Sequence, residues 1–308
     1  MMILLNPRAA GGTAPDKWRR VSAVLPPFHE KIELRFLDAQ TDVDKIVEDA
    51  AMQGELHYVA AGGDGTVNTV VNALMRLPEG LRGRVVFGAV GLGSSNDFHK
   101  PIDADHAIEG IPVRMNYARP TRRDVVRVKT GYNGQSSVHY FLINASVGVT
   151  AEGNALFNKP DSLLSWLKMH TTPLAILYAA LRALAFHQNR LLTIESPGRP
   201  ARRLRLTNLG IVKNPHFSGS LRYHTPAHYD DGSMGVFVAE EMNLLERIRL
   251  FGALSCGDFS RLAKTLAWQS SQLTIAASSC FPLELDGEIH QTSRAEFSVL
   301  QGILQVCS

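Results

Sequence analysis

Apolar residues follow two different rhythms along this chain. Up to about Pro120, short apolar or alternating runs at Met2 to Leu5, Ile32 to Leu37, Leu56 to Ala61 and Val85 to Val90 are separated by segments long enough for crossover helices. Two of those segments read as helices: Asp44 to Gln53, and Thr66 to Arg76, where Val67, Val70, Val71 and Leu74 share one face at i, i+3, i+4 and i+7. The succession predicts an α/β domain with a parallel sheet and helices packed on its faces.

From about Asp124 the rhythm becomes alternating and β-branched, in Asp124 to Lys129, His139 to Ser146, Leu191 to Glu195, Met234 to Glu240 and Gln272 to Ala276. This predicts a second, strand-rich domain, interrupted by one helical stretch from Ser162 to Phe186 with Thr172 as N-cap and Pro173 at the first helical position. The Pro/Arg-rich segment Pro120 to Arg123 is the expected linker, and there is no internal repeat.

At 308 residues the chain is long enough for about two domains. Its 45% hydrophobic and 20% charged residues are ordinary for a soluble globular protein. Thirty-two Lys and Arg against 29 Asp and Glu leave a net charge of +3 and a pI near 8.8, mild basicity that does not point to nucleic acid as a partner. Cys256, Cys280 and Cys307 are widely spaced and odd in number, which fits reduced thiols in a cytoplasmic protein. The N-terminus lacks a basic n-region, so it reads as a buried strand rather than an export signal. The most apolar stretch, Pro173 to Phe186, is shorter than the ~20 residues a span requires and contains Arg182, so peripheral membrane contact is the most it predicts.

The sharpest chemical signal is the strand running into Gly62, Gly63, Asp64, Gly65 and Thr66 and directly on into a helix. Glycines let backbone N–H groups approach phosphate oxygens, and the helix N-terminus adds positive potential, so the loop predicts a polyphosphate ligand. It is neither a Walker A loop, for the chain has no Gly-Lys pair, nor a dinucleotide fingerprint; Gly91-Leu92-Gly93-Ser94-Ser95-Asn96 only approaches one. No HExxH exists, and His224 and His228 enclose Pro226, which argues against a zinc-binding helix. A GxSxG elbow is also missing. Near the C-terminus Asp286 and Glu288 flank Gly287, and on an extended segment both carboxylates would point to one side; the other reading is a hairpin turn.

Taken in order, Asn6-Pro7-Arg8-Ala9-Ala10-Gly11-Gly12, the Gly62 to Asn68 loop, Ser95-Asn96-Asp97-Phe98, the run from Arg123, the run from Phe141, Thr225 to Val236 and Leu283 to Ile289 resemble the diacylglycerol kinase catalytic-domain family, which includes bacterial soluble lipid kinases and sphingosine kinases. The resemblance implies an N-terminal α/β nucleotide-binding domain, completed by roughly Ala295 to Ser308, and a C-terminal β-sandwich lipid domain from 121 to 294, an NAD kinase/diacylglycerol kinase-like fold. It implies transfer of the γ-phosphoryl group of ATP, with Mg²⁺, to a lipid hydroxyl at a membrane surface, with diacylglycerol, phosphatidylglycerol-like and sphingoid acceptors open.

By the same matching, Asn6, Thr41, Gly62, Gly63, Asp64, Gly65, Thr66, Val67, Asn68, Ser94, Asn96 and Asp97 bind the nucleotide. Thr41 also opens a capping-box spacing, and Asn6 and Asn96 also suit turns held by side-chain hydrogen bonds. Glu288 becomes the general base, assisted by Asp286, with Asp64 as second candidate and otherwise part of a metal and water network with Asp97 and Asp124. His228, Asp231 and Ser233 match a second, structural Mg²⁺ site formed by one carboxylate and two carbonyls.

Two positions depart from the family pattern: Gly91 stands where a proline is usual and Ser94 where a threonine is usual, which predicts a less pre-organised loop and weaker nucleotide affinity. Arg199, Arg202, Arg203 and Arg205 form a basic cluster that suits anionic headgroups or a solvated strand edge. Trp166, Leu167 and the Pro173 helix supply apolar surface or core. Rival readings are an NAD kinase, which the SNDF loop and the Asp-Gly-Glu triplet disfavour, and a catalytically silent lipid-binding protein. A homodimer is left open.

Overall fold

The computed structural model describes residues 1–25, 32–100, 106–132, 134–158, 161–225 and 229–308. They form two compact units, Met1–Val125 with Leu300–Ser308, and Val126–Val299.

In the first unit, β1 (Met2–Leu5) is followed by a distorted turn α1 (Ala9–Gly12), then α2 (Ala14–Val24), β2 (Glu33–Phe36), α3 (Val43–Met52), β3 (His57–Gly62), α4 (Asp64–Arg76), α5 (Glu79–Arg82) and β4 (Val86–Gly91). The strands lie in the order β2-β1-β3-β4, each pair parallel. β1 and β4 are buried throughout, as continuous apolar runs covered on both faces should be. The face of α4 formed by Val67, Val70, Val71 and Leu74 is buried, and Asp44 of α3 pairs with Arg76 of α4 at 2.7 Å.

A 3₁₀ turn (Asp97–His99) then leads to β5 (Ala107–Ile108) and β6 (Ile111–Arg114). β6 returns antiparallel to β4. The expected parallel sheet is therefore corrected to a mixed one, and the pairings of the second unit are antiparallel. The expected linker is also corrected. Thr121–Tyr132 forms β7, and Arg123 is buried with its guanidinium 5.6 Å from the centre of the Phe98 ring.

The second unit contains β8 (Gln135–Phe141), β9 (Asn144–Gly148), α6 (Val149–Asn158), α7 (Ser162–His170), α8 (Thr172–Phe186), β10 (Arg190–Glu195), β11 (Arg202–Val212), β12 (His216–Phe217), β13 (Leu221–Arg222), β14 (Met234–Glu240), α9 (Leu244–Cys256), β15 (Thr265–Ser270), β16 (Gln272–Leu285) and, as far as Val299, β17 (Glu288–Val306), whose last residues belong to the first unit. Two long strands change partners midway. β11 pairs with β10 over 202–206 and with β9 over 208–212, and β16 pairs with β10 over 274–276 and with β9 over 283–285. These four strands surround a core that includes Phe141, Val147, Leu209, Ile211, Phe281, Leu283 and Phe297. The expected single helical stretch is two helices. Thr171, rather than Thr172, caps the second, its hydroxyl accepting the Leu174 N–H. None of the described helices is long and apolar enough to cross a membrane.

Candidate active site

The strand order reverses between β1 and β3: the chain moves outward from β1 to β2, then returns to the other side of β1. Loops at the carboxyl ends of strands flanking such a reversal form the crevice where α/β sheets bind ligands. Three loops meet there.

The first holds Asn6, whose N–H donates to Ala61 O, whose Oδ1 accepts the Arg8 N–H, and whose Nδ2 donates to Thr66 Oγ1 at 3.2 Å. The second is the glycine loop, in which Gly63 is the extended N-cap of α4 without a side-chain cap, its carbonyl accepting the Thr66 and Val67 N–H groups. The third follows β4. Its Leu92 and Gly93 N–H groups both donate to Gly62 O, while Asn96, at φ 50°, accepts from Gly93 N and donates to the carbonyls of Gly91 and Gly93.

Side chains are excluded from the contact between these loops. A Cβ on Gly62 would lie 2.2 Å from Thr66 Oγ1, and one on Gly63 would lie 3.3 Å from Gly93 Cα. Gly91 is explained in the same way: its Cβ would fall 2.5 Å from Pro112 Cγ, so close packing of the loop base selects glycine there. Ser94 is exposed at the rim, whereas Val67 and Asn68 turn inward, Asn68 Oδ1 accepting from Asn72 Nδ2. Gly65 lies in the first turn of α4, and its carbonyl accepts the Thr69 hydroxyl.

The glycine loop and the loop after β4 each carry an acid. Asp64 Oδ1 accepts the N–H of Phe98 at 2.9 Å, next to buried Asp97, whose carboxylate is 2.8 Å from Lys100 Nζ. Asp124 is buried, with Oδ1 accepting the Gly302 N–H at 2.8 Å. No group of three His, Cys, Asp or Glu side chains suited to a metal occurs among the described residues. A Mg²⁺ ion held by phosphates and water needs only one or two carboxylates, and Asp64 and Asp97 are oxygen donors of that kind, Asp97 being shared with Lys100. Beneath them His99 is buried and its Nε2 has no hydrogen-bond partner; burial first, then the Arg114 and Arg123 charges, lower its pKa to about 3.

Thr41 is engaged in its own turn, donating to Asp38 Oδ1 and accepting the Asp38 N–H, and these contacts help hold the Asp38 carboxyl below its usual pKa. The N-cap of α3 is Asp42, not Thr41. Lys17, which the motifs did not single out, reaches from α2 to the carbonyls of Leu92 and Gly93 at 3.2 and 3.5 Å. Lys17 is one of three basic residues on α2, beside Arg19 and Arg20, and carries no sequence signal for that reach.

In the second unit the extended reading of Asp286-Gly287-Glu288 is corrected. Asp286 and Gly287 are the two-residue loop of the β16–β17 hairpin, with φ 46° and 94°, a conformation that Asp-Gly favours. The Asp286 carboxylate is buried and accepts the N–H groups of Leu142, Ile143 and Asn144 at 2.9 to 3.0 Å, while Glu288 is exposed. The paired ledge is thus replaced by one carboxylate that ties the backbone together and one that faces solvent. Glu284, also missed, is buried and accepts from Ser146 Oγ and Gly287 N, both at 2.6 Å.

The expected second metal site is corrected as well. Asp231 accepts from Ser233 N and Oγ, but Lys213 Nζ lies 2.9 Å from Asp231 Oδ1 and 2.5 Å from Ser233 O, where a divalent ion would have to sit. These residues do not fit a metal. Burial raises the Asp231 pKa, but the Lys213 and Ser233 hydrogen bonds outweigh it and hold the carboxyl below its usual range. His228 lies outside the described residues. Two of the four arginines of the basic cluster have acidic partners, Arg202 with Glu240 at 3.0 Å and Arg205 with Glu241 at 3.9 Å, while Arg199 covers the Trp268 ring.

A glycine-lined crevice at the carboxyl ends of parallel strands, beside a helix N-terminus, is a geometry suited to an anionic ligand. Residues 1–128 match the diacylglycerol kinase catalytic domain and residues 145–308 match the YegS C-terminal NAD kinase beta sandwich-like domain; the chain belongs to the diacylglycerol kinase catalytic-domain family. It is 25% identical over 257 residues to a diacylglycerol kinase of Staphylococcus carnosus, spanning 80% of this chain and 75% of that one. A YegS-like lipid kinase of Pectobacterium atrosepticum is 31% identical over 154 residues, 48% of this chain and 45% of its own length. The solved structure of a diacylglycerol kinase from Bacillus anthracis str. Sterne shares the fold, with a TM-score of 0.63, 16% identity and coverage of 99% of this chain and 95% of that one.

Proposed function

We propose that this protein transfers the γ-phosphoryl group of ATP to a hydroxyl of a lipid, with Mg²⁺ carried by the nucleotide. The observation that carries this reading is the close meeting of Gly62, Gly63 and Gly93 beside the N-terminus of α4, where there is no room for a Cβ and an anionic group can approach the helix end. Asn6 and Thr66 fix the glycine loop against the loop after β1, and Ser94 offers a hydroxyl at the rim. Mg²⁺ supplies charge neutralisation when bound, and Asp64 and Asp97 are the carboxylates that would hold it.

Glu288 is the proposed general base. Its exposed carboxylate is accessible to an acceptor hydroxyl, whereas Asp286 already accepts three N–H groups. Asp64 is the second candidate. For the acceptor, the second unit offers a cavity of about 450 Å³ lined by Glu152, Ala155, Leu156, Arg182, Ala183, Phe186 and His187, apolar for most of its wall with charged groups at its edge. Leu163 and Trp166 of α7 and Leu174, Leu177, Leu181 and Phe186 of α8 are exposed, which supports contact with a lipid surface.

The test is transfer of ³²P from γ-labelled ATP, with Mg²⁺, to dispersed diacylglycerol, phosphatidylglycerol, ceramide and sphingosine, and to NAD. A labelled lipid is the expected product. Labelled NAD would replace this reading with an NAD kinase, and ATP binding without any product would favour a lipid-binding protein that has lost catalysis.

A further inference from the structure

Lys213 directly follows β11, and its backbone N–H, like that of Asn214, donates to Ile143 O, which fixes where the side chain starts. That side chain is 1% exposed, its stem enclosed by protein and its ammonium aimed at the turn Tyr229–Ser233. The ammonium meets one carboxylate oxygen of Asp231 and the carbonyl of Ser233, and Ser233 N and Oγ donate to the two oxygens of the same carboxylate. A carboxylate and a main-chain carbonyl converging on one point in a glycine-containing turn are hard oxygen donors arranged for a cation.

Mg²⁺ would stand about 2.1 Å from each of these oxygens. Lys213 Nζ, at 2.9 and 2.5 Å from them, occupies the same space at hydrogen-bonding distance. Two positive centres cannot share that position, and displacing the buried ammonium would break its ion pair with Asp231 and its hydrogen bond to Ser233 O. Occupancy is therefore exclusive, and the covalently attached cation, whose tether gives it a high effective concentration, holds the site.

We propose that Lys213 is a built-in cation that takes the place of a structural divalent metal in the Tyr229–Ser233 turn, so that the second unit reaches its native fold without Mg²⁺. The proposal goes beyond the phosphoryl-transfer reading and does not depend on it.

The test is thermal unfolding of the full chain without nucleotide, in EDTA and in excess MgCl₂ or CaCl₂. Wild type is expected to melt at one temperature in both. Lys213→Ala is expected to lose on the order of 10 °C in EDTA and to recover part of it with either metal, because its removal opens the cation position. Adding Asp231→Asn to Lys213→Ala should abolish that recovery. A nucleotide-free wild type that melts higher with metal, and loses that gain in Asp231→Asn, would overturn the proposal; so would a folded Lys213→Ala that does not respond to metal. Should Lys213→Ala fail to fold even with metal, Lys213→Met keeps the stem and is subject to the same criterion.

Discussion

Gly93 and Gly63 meet backbone to backbone: a Cβ placed on Gly93 would lie 2.4 Å from Gly63 Cα. Neither glycine has a positive φ, so the requirement is for space rather than for an unusual backbone conformation. Gly93→Ala is expected to push the two loops apart, costing about 1–3 kcal/mol and weakening ATP binding at least tenfold. Calorimetric titration with a non-hydrolysable ATP analogue checks it, and unchanged affinity would remove these loops from the nucleotide site.

Asp286 and Glu288 should separate cleanly by mutation. Asp286→Asn keeps a residue that tolerates positive φ but replaces an acceptor-only carboxylate facing three N–H groups, so a loss of about 3 kcal/mol in stability is expected. Glu288→Gln is expected to leave the melting temperature unchanged and to lower kcat roughly a hundredfold or more. Wild-type turnover in Glu288→Gln would transfer the base assignment to Asp64.

His99 sets a pH dependence whose sign follows from its burial. With a folded pKa of about 3, it stays neutral in the native state while the unfolded chain takes up a proton below about pH 6.5. Its contribution to stability is therefore complete above that pH and is lost on acidification toward pH 3, at up to roughly 1.4 kcal/mol per pH unit. The groups facing it, Arg114 and Arg123, stay charged over that range. His99→Phe should flatten the stability profile between about pH 6 and pH 4; parallel profiles for the two proteins would disprove the effect.

Phe186 is 78% exposed at the edge of the cavity beside α8. Phe186→Ser should raise the apparent KM for a vesicle-borne acceptor several-fold while leaving KM for ATP and the melting temperature unchanged. An identical lipid KM would place the acceptor elsewhere.

The N-terminal half was legible because its signals are local. The buried strands have periods and lengths that only a covered sheet satisfies, and the glycine loop is contiguous in sequence. What escaped depends on contacts between distant residues. Lys213 and Asp231 are eighteen positions apart on separate elements, and the carbonyls that Lys17 reaches belong to a loop seventy-five residues on. Gly91 looked like a loss of stiffness when compared with proline, but its neighbour Pro112 makes it a matter of packing. Asp286 was correctly seen as paired in sequence with Glu288, yet positive φ at Asp286 and Gly287 turns a three-residue motif into a hairpin whose two acids have different surroundings.

β17 has a consequence for the order in which the protein is made. Through Ser298 it pairs with β16, whereas Gln305 and Val306 lie beside Val86 and Phe87 of β4, and Cys307 N–H donates to Phe87 O. The first unit is thus interrupted, and all of Val126–Val299 emerges from the ribosome before the residues that finish it. Until then Val86 and Phe87 of β4, paired to β3 on one side, lack their β17 neighbour on the other, and Asp124 lacks the Gly302 N–H, so a nascent chain carries this open stretch of sheet edge for most of its synthesis.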